Sequence, residues 1–397
     1  MLGMMLDGIR AIDFTTTVAG PACAQFISQL GAEVIKLEPP GRGDDARLYP
    51  PYKGSVSASF CAANLGKRTV TINLKKPQGV SLFKELASVC DVFIENYTPG
   101  TMKRLGIDYE ALKTVNPRLI MCSISAYGQT GPLSHLPGYD ATIQAMTGLM
   151  SVTGYPDRPP LRSGTLVVDI STAMTAATAI CAALFAREKT GLGDHLDIAM
   201  FDVGINLLES KFVAYTVGGE IQTRTGNRFP YISPFDAYKA KDDYVMIICA
   251  GDGPFQDLCN GIGMPDLMKD ERFNNLFARN AHEPELKKII EDWASQYTAA
   301  EVVARLSAAG APAAVVNNIK QALEHPHTKA RGMLNEVEQP GAGTLILMGP
   351  PIKSVAYQVG KPGYTHAIGE DNGWMLKELL GKSEQAAKKI IESGVMG

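Results

Sequence analysis

The sequence predicts an α/β fold: a mostly parallel sheet covered by helices, followed by a second, smaller α/β domain. Three observations carry this. Short β-rich runs alternate with helical patterns through the first half of the chain, as in sheets whose strands run parallel beneath covering helices. Glycine and proline fall where those helices should stop and start. Beyond about residue 200 the alternation gives way to a loop-like stretch and then resumes on a smaller scale.

Arg10-Ala-Ile-Asp-Phe14 reads as the first strand, and a helix near Ala22 to Gln29 stops at Gly31. Glu33–Leu37, Thr69–Asn73, Asp91–Glu95 and Arg118–Ile124 read as further strands, rich in Val, Ile and Phe. Pro77 suits the first turn of a helix over 77–89, with Val80, Phe83 and Ala87 on one face. Residues 171–187 are Ala-rich with apolar positions all round, which predicts a buried helix. His195–Met200 closes this half. Residues 218–235 are loop-like, and a strand Tyr244–Cys249, a helix from Pro254, helical stretches to about 308 and Ala313–Val316 follow. The tail holds a Pro-rich stretch, Met348–Ile352, and two final helical patterns. The expected divisions are 1–215 for the first part of the large domain, 225–325 for the small domain, and 330–397 for a segment returning to the large one.

Thirty-eight Lys and Arg against 41 Asp and Glu give a net charge of −3, which argues against nucleic-acid or membrane-surface binding but not against one phosphorylated ligand. Cys23, Cys61, Cys90, Cys122, Cys181, Cys249 and Cys259 form no CxxC pair and lie in apolar segments. They predict reduced core thiols and a cytoplasmic location. The N-terminus does not read as a signal peptide, and no uninterrupted apolar run reaches the length of a membrane span, so a soluble chain is expected.

No GxGxxG follows the first strand, where Thr15–Pro21 stands instead, and no Walker A pattern exists. Of the histidines, only His325 and His327 are close in sequence, without the cysteines or carboxylates of a metal site, so no metal is expected. The informative stretch is Gly164-Thr-Leu-Val-Val-Asp169, an apolar run that delivers one carboxylate at or just before the start of the 171–187 helix. Free N–H groups and the helix dipole favour negative charge there. On position alone Asp169 is an N-cap or a catalytic carboxylate facing a pocket.

Several blocks, in order along nearly the whole chain, resemble the class III CoA-transferases, the formyl-CoA and carnitine CoA-transferase family. They are Leu6–Phe14, Ala19-Gly-Pro21, Leu30–Glu38, Glu95–Gly106, Tyr127–Pro132 and Lys189–Gly193. Gly41-Arg-Gly-Asp-Asp45 and Gly226–Tyr231 bring the chain nearest to the oxalate and dicarboxylate members. The resemblance implies a Rossmann-like large domain and an interlocked homodimer. It also implies CoA transfer from an acyl-CoA to a small carboxylic acid such as oxalate, succinate or another dicarboxylate, with no cofactor beyond the CoA thioester substrate. Asp169 falls on the family's nucleophile, which passes through an aspartyl anhydride and an aspartyl-CoA thioester. Thr17, Val18, Ile72, Asn73, Leu74, Lys75, Asn96, Tyr97, Thr98, Arg104, Tyr139 and Asp140 fall on family CoA or substrate contacts, Arg104 as the phosphate arginine. The oxyanion donors stay unnamed.

Tyr139 stands where racemases of this fold carry a histidine, and a phenol is a poor base at neutral pH. This weighs against the alternative of a 2-methylacyl-CoA racemase. A non-catalytic CoA-binding protein is the other alternative, against which Asp169 and Arg104 weigh. Asp140 reads equally as a helix N-cap for 141–150 or as a group orienting an acceptor. Pro39 and Val18 replace an Arg and a Gln of the formate enzymes. Phe229–Pro234 occupies the region of their glycine-rich loop, and Gly369–Asn372 departs from a C-terminal family motif.

Overall fold

The computed structural model describes residues 2–360 and 363–397. It divides into two compact units, one built from residues through Leu149, Ser163–Val213 and Pro326 onward, the other from Met150–Arg162 and Ala214–His325.

The first unit is organised by six parallel strands. They are β1 (Arg10–Phe14), β2 (Glu33–Glu38), β3 (Arg68–Thr71), β4 (Val92–Glu95), β5 (Ile120–Ser125) and β6 (His195–Ala199). Their spatial order is β3-β2-β1-β4-β5-β6, with every neighbouring pair parallel. This is the doubly wound, Rossmann-like order, and its direction of winding reverses between β1 and β4. Both faces are covered, which explains why the strands read as near-continuous apolar runs. On one face Ala11, Val34, Val92, Ile120 and Cys122 meet α1 (Ala19–Gln29) and α5 (Val167–Thr190). On the other, Ile12, Ile35, Val70, Phe93 and Met121 meet α2 (Pro77–Ser88), α3 (Thr101–Leu105) and the C-terminal segment around Met375, Leu376 and Val395. Between α3 and α5 lies α4 (Asp140–Met146). A hairpin of Leu334–Gln339 and Gly343–Met348, absent from the sequence-based expectation, packs Val337, Leu345 and Leu347 on Cys61 and Leu65.

By length and composition α5 could cross a membrane, with 24 residues and a mean hydropathy of 1.7 over an 18-residue window. The threonines within it do not lower that average enough to separate it from a span. In the structure Ala173, Ala176, Ala177, Ile180 and Leu184 form a stripe buried against α1 and the sheet, while Met174 and Phe185 lie exposed on the other side. Gly191, in a left-handed conformation at φ 74°, ends the helix. The cysteines are all free; six are buried and Cys181 on α5 is half-buried.

The second unit holds an antiparallel sheet of β7 (Phe235–Lys239), β8 (Tyr244–Ile248) and β9 (Ala313–Val315), covered by helices that bury Phe255, Leu286, Ile290, Trp293 and Leu306. Met150–Arg162, within the stretch assigned by sequence to the large domain, belongs here. Gly226 N–H donates to the Gly154 carbonyl at 2.9 Å, and the Gly226 backbone lies close against the Tyr155 ring.

Candidate active site

In a doubly wound sheet, the loops leaving the two strands at the reversal turn to opposite faces and leave a crevice between them. Here those loops are Thr15–Val18 after β1 and Asn96–Thr98 after β4. They border a cavity of about 230 Å³ that also takes in Ser125 at the end of β5 and Ala126 just after it, Pro137–Tyr139, Asp169 and Met200.

Asp169 reaches this cavity as the third residue of α5, because the helix begins at Val167, four residues before the 171 start that the sequence suggests. No side chain at the N-cap position, Leu166, closes the helix. Asp140 does so from α4: its Oδ2 accepts the backbone N–H of Val168 at 2.8 Å and of Asp169 at 3.1 Å. Two of the N–H groups in the first turn of α5 thus find an acceptor, although the helix begins with two valines. Asp140 is neither the expected cap of its own helix, where it is the first residue, nor free in the cavity. It is buried, takes the Gln144 amide on its other oxygen, and Gln144 in turn accepts Ser163 N–H at 2.8 Å. Burial pushes the Asp169 carboxyl up to about 7, and the neighbouring Asp140 charge adds to the rise. Near neutral pH the carboxyl is thus poised between its acid and its more basic, more nucleophilic anion.

The two loops are tied together. Asn96 Oδ1 accepts Thr16 N–H at 2.8 Å, and Asn96 Nδ2 donates to the Thr16 carbonyl at 2.8 Å. The Tyr97 ring lies 4.7 Å from that of Phe14, and its backbone N–H donates to Glu95 Oε2 at 2.8 Å. Burial is the main cause that raises the Glu95 carboxyl to about 7. Thr17 adopts φ +70°, a conformation a β-branched residue rarely takes. Tyr139 stands at the mouth, 72% exposed.

The structure therefore gathers Thr17, Val18, Asn96, Tyr97, Thr98, Tyr139 and Asp169 around one cavity, with Asp140 directly behind. Ile72, Asn73, Leu74, Lys75 and Arg104 lie outside its lining. Ile72 and Leu74 are buried in the core. Asn73 N–H donates to the Val395 carbonyl at 2.7 Å, and Lys75 is exposed. Arg104 is bonded to Thr101 Oγ1 at 2.8 Å. Sequence reasoning missed Ser125 and Met200 in the lining, and it missed Gln144 and Glu95, which hold Asp140 and the Tyr97 backbone; in sequence Glu95 reads only as the end of a strand and the start of a motif. Among the described residues no cluster of His, Cys, Asp and Glu has the arrangement of a metal site.

The CoA-transferase family III model matches residues 6–371. The chain belongs to CoA-transferase family III. It is 40% identical over 352 residues to the acetyl-CoA:oxalate CoA-transferase of Acetobacter aceti, covering 88% of this chain and 89% of that one. It is 34% identical over 392 residues to the succinyl-CoA:glutarate CoA-transferase of Mus musculus, covering 98% and 90%. A CaiB/BaiF family protein from Brucella suis superposes with a TM-score of 0.84 at 34% identity, covering 95% of this chain and all of that one. As a family III member the chain is a CoA-transferase, and its reaction class is transfer of CoA to a carboxylic acid.

Proposed function

We propose that this enzyme moves CoA between an acyl-CoA and a small dicarboxylic acid, with Asp169 as the group that carries first the acyl chain and then CoA. The observation that supports this is one half-buried carboxylate, in the first turn of an apolar helix, facing a cavity at the sheet's reversal. The Asp169 carboxylate attacks the thioester carbonyl, giving an acyl-aspartyl anhydride and CoA thiolate. The thiolate attacks the aspartyl carbonyl and releases the donor acid, leaving an aspartyl-CoA thioester. The acceptor carboxylate attacks that carbonyl, forming a new anhydride and freeing the thiolate. Attack of the thiolate on the acceptor carbonyl yields the new acyl-CoA and restores Asp169. Burial serves twice: it raises the basicity of the nucleophile, and it limits the water that would hydrolyse either intermediate.

The nucleotide end of CoA lies outside the cavity in this reading, where Arg104 and Lys75 are accessible to its phosphates. Oxalate and glutarate, named for the relatives above, define the acceptor class to test first. The chain works as an interlocked homodimer in a reducing, cytoplasmic setting. Exposed apolar side chains support the assembly: Phe185, Val213, Tyr215, Val217 and Ile221 are each more than half exposed in the single chain.

The test incubates the purified protein with succinyl-CoA or acetyl-CoA, adds oxalate, glutarate and other small acids, and follows new thioesters by mass spectrometry. A hydroxylamine-trapped adduct on the Asp169 peptide is expected, together with a new acyl-CoA that vanishes in Asp169→Ala. Failure of transfer across the panel, with α-proton exchange on a 2-methylacyl-CoA, would replace this reading with the racemase one.

A further inference from the structure

Three of the sequence blocks that carry the family resemblance contain charged residues the transfer chemistry does not use, Asp13, Lys36 and Asp44, and a fourth such residue, Lys67, precedes the strand β3. The fold brings all four together beneath the Thr15–Val18 loop, each no more than 1% exposed. Lys67 Nζ spends its three donors on Asp13 Oδ2 at 2.7 Å, the Pro21 carbonyl at 2.8 Å and Asn64 Oδ1 at 2.9 Å. Asp13 Oδ1 then accepts both the backbone N–H and the hydroxyl of Thr15. Lys36 Nζ donates to the Thr15 carbonyl at 2.6 Å and to Asp44 Oδ2 at 2.8 Å. Asp44 Oδ1 accepts the N–H of Ala46 at 2.9 Å and, at 3.4 Å, that of Thr17. Beside them Gly20 leaves Thr15 room, since a Cβ there would lie 2.4 Å from the Thr15 Cβ.

A buried ion-pair cluster adds little to stability compared with apolar residues of similar volume. This one is aimed at something. Asp13, Lys36 and Asp44 bond Thr15 and Thr17, and Lys67 bonds the Pro21 carbonyl at the start of α1, so the cluster grips both ends of the loop that carries Thr17 at φ +70°, a shape that persists only when the surroundings over-determine it.

We propose that Lys67 is a positioning residue for acyl-CoA binding, acting through Asp13 and the Pro21 carbonyl to hold Thr15–Val18 in its ligand-ready shape. Lys67 touches neither the cavity nor the reacting atoms. Burial in the company of Lys36 lowers its ammonium to about 8, while Asp13 works the other way. Replacing Lys67 alone would leave Asp13 with a poorer partner. The informative variant is therefore the neutral pair Asp13→Asn with Lys67→Met, which removes one charge of each sign.

The proposal rests on the reading of the cavity as the acyl-CoA site, and the experiment separates the two. CoA is titrated calorimetrically into wild type and the double variant. The KM for succinyl-CoA is compared with kcat, and backbone hydrogen exchange is followed by mass spectrometry without ligand. The expected result is a melting temperature near that of wild type, CoA affinity weakened about tenfold, a matching rise in KM with kcat nearly unchanged, and faster exchange confined to 15–18. Thr15→Val removes only the hydroxyl held by Asp13, and it must shift exchange and affinity in the same sense if the double variant does not fold. Wild-type exchange and affinity in the folded variants would overturn the proposal. If wild type itself fails to bind CoA, the cavity reading falls, while the exchange data still decide whether Lys67 holds the loop.

Discussion

Replacing Asp169 by Asn exchanges an ionisable carboxyl for a neutral group of the same shape, which isolates the cost of charge in this position. Burial first, and Asp140 second, raise the Asp169 carboxyl from 3.8 to about 7. Between those values the folded chain binds more protons than the unfolded one. The carboxyl's contribution to stability is therefore full below 3.8 and is lost as pH rises through 7. At 1.36 kcal/mol per pH unit the full loss is on the order of 4 kcal/mol at pH 8, and roughly half of that at pH 5.5. The helix N-terminus offsets only about 0.3–1 kcal/mol, too little to reverse the sign. Asn avoids the loss at every pH. With an unfolding entropy of about 2.1 cal/mol/K per residue, 1 kcal/mol moves the midpoint of a chain this size by about 1 °C. Scanning calorimetry should show Asp169→Asn melting about 4 °C above wild type at pH 8 and about 2 °C above at pH 5.5, with transfer abolished. A gain independent of pH, or a variant less stable at pH 8, would refute the account of Asp169 as a carboxylate held at a cost.

Asp140→Asn keeps an acceptor for the Val168 and Asp169 N–H groups but removes the charge that helps raise Asp169. The acid limb of the kcat/KM profile is expected at lower pH, and an unmoved limb would count against the coupling. Asp140→Ala also uncaps α5 and should cost about 1–2 kcal/mol in urea denaturation. Arg104→Ala should raise the KM for acyl-CoA about ten- to hundredfold with kcat little changed, and flatten its salt dependence. Equal KM values in the two proteins would place the CoA phosphates elsewhere. Gly20→Ala forces a Cβ into Thr15 and should lower stability by about 1–3 kcal/mol. Steady-state assays should also show a raised KM, because the displaced residue belongs to the cavity loop.

Much of the sheet was legible because its strands are buried on both faces and so leave runs such as Val92–Glu95 and Ile120–Ser125 that stand out in any window. The hairpin at 334–348 was not, since its exposed Ile346 and Met348 and its glycine-rich turn blur the alternation. Asp169 could be picked out from the apolar run and the Ala-rich helix, but its helical register could not. The group that lets the helix begin at Val167 is Asp140, 29 residues before Asp169 in sequence, and no local pattern reports that partnership. Asn96 lines the cavity, and its amide also bonds both polar groups of the Thr16 backbone, a tie across two loops that no local pattern reports. Composition likewise conceals that Asp13, Lys36, Asp44 and Lys67 are buried, because isolated charges in strands and loops usually mean solvent.

The burial of the cysteines bears on what the enzyme can tolerate. On the mechanism proposed above, a catalyst that generates CoA thiolate and handles activated thioesters is exposed to two side reactions, capture of the acyl group by its own sulfur and mixed-disulfide formation with free CoA. Burial raises every one of the seven thiols, to about 11 and about 12 even for Cys259 and Cys249, which keeps them protonated and poor nucleophiles. Cys181, the least covered, lies twelve positions along the same helix as Asp169, about 18 Å away at 1.5 Å per residue. If Asp169 carries the acyl group as proposed, the chain keeps its sulfur protonated while an oxygen receives the acyl chain, a division of labour that should make the enzyme indifferent to alkylating reagents.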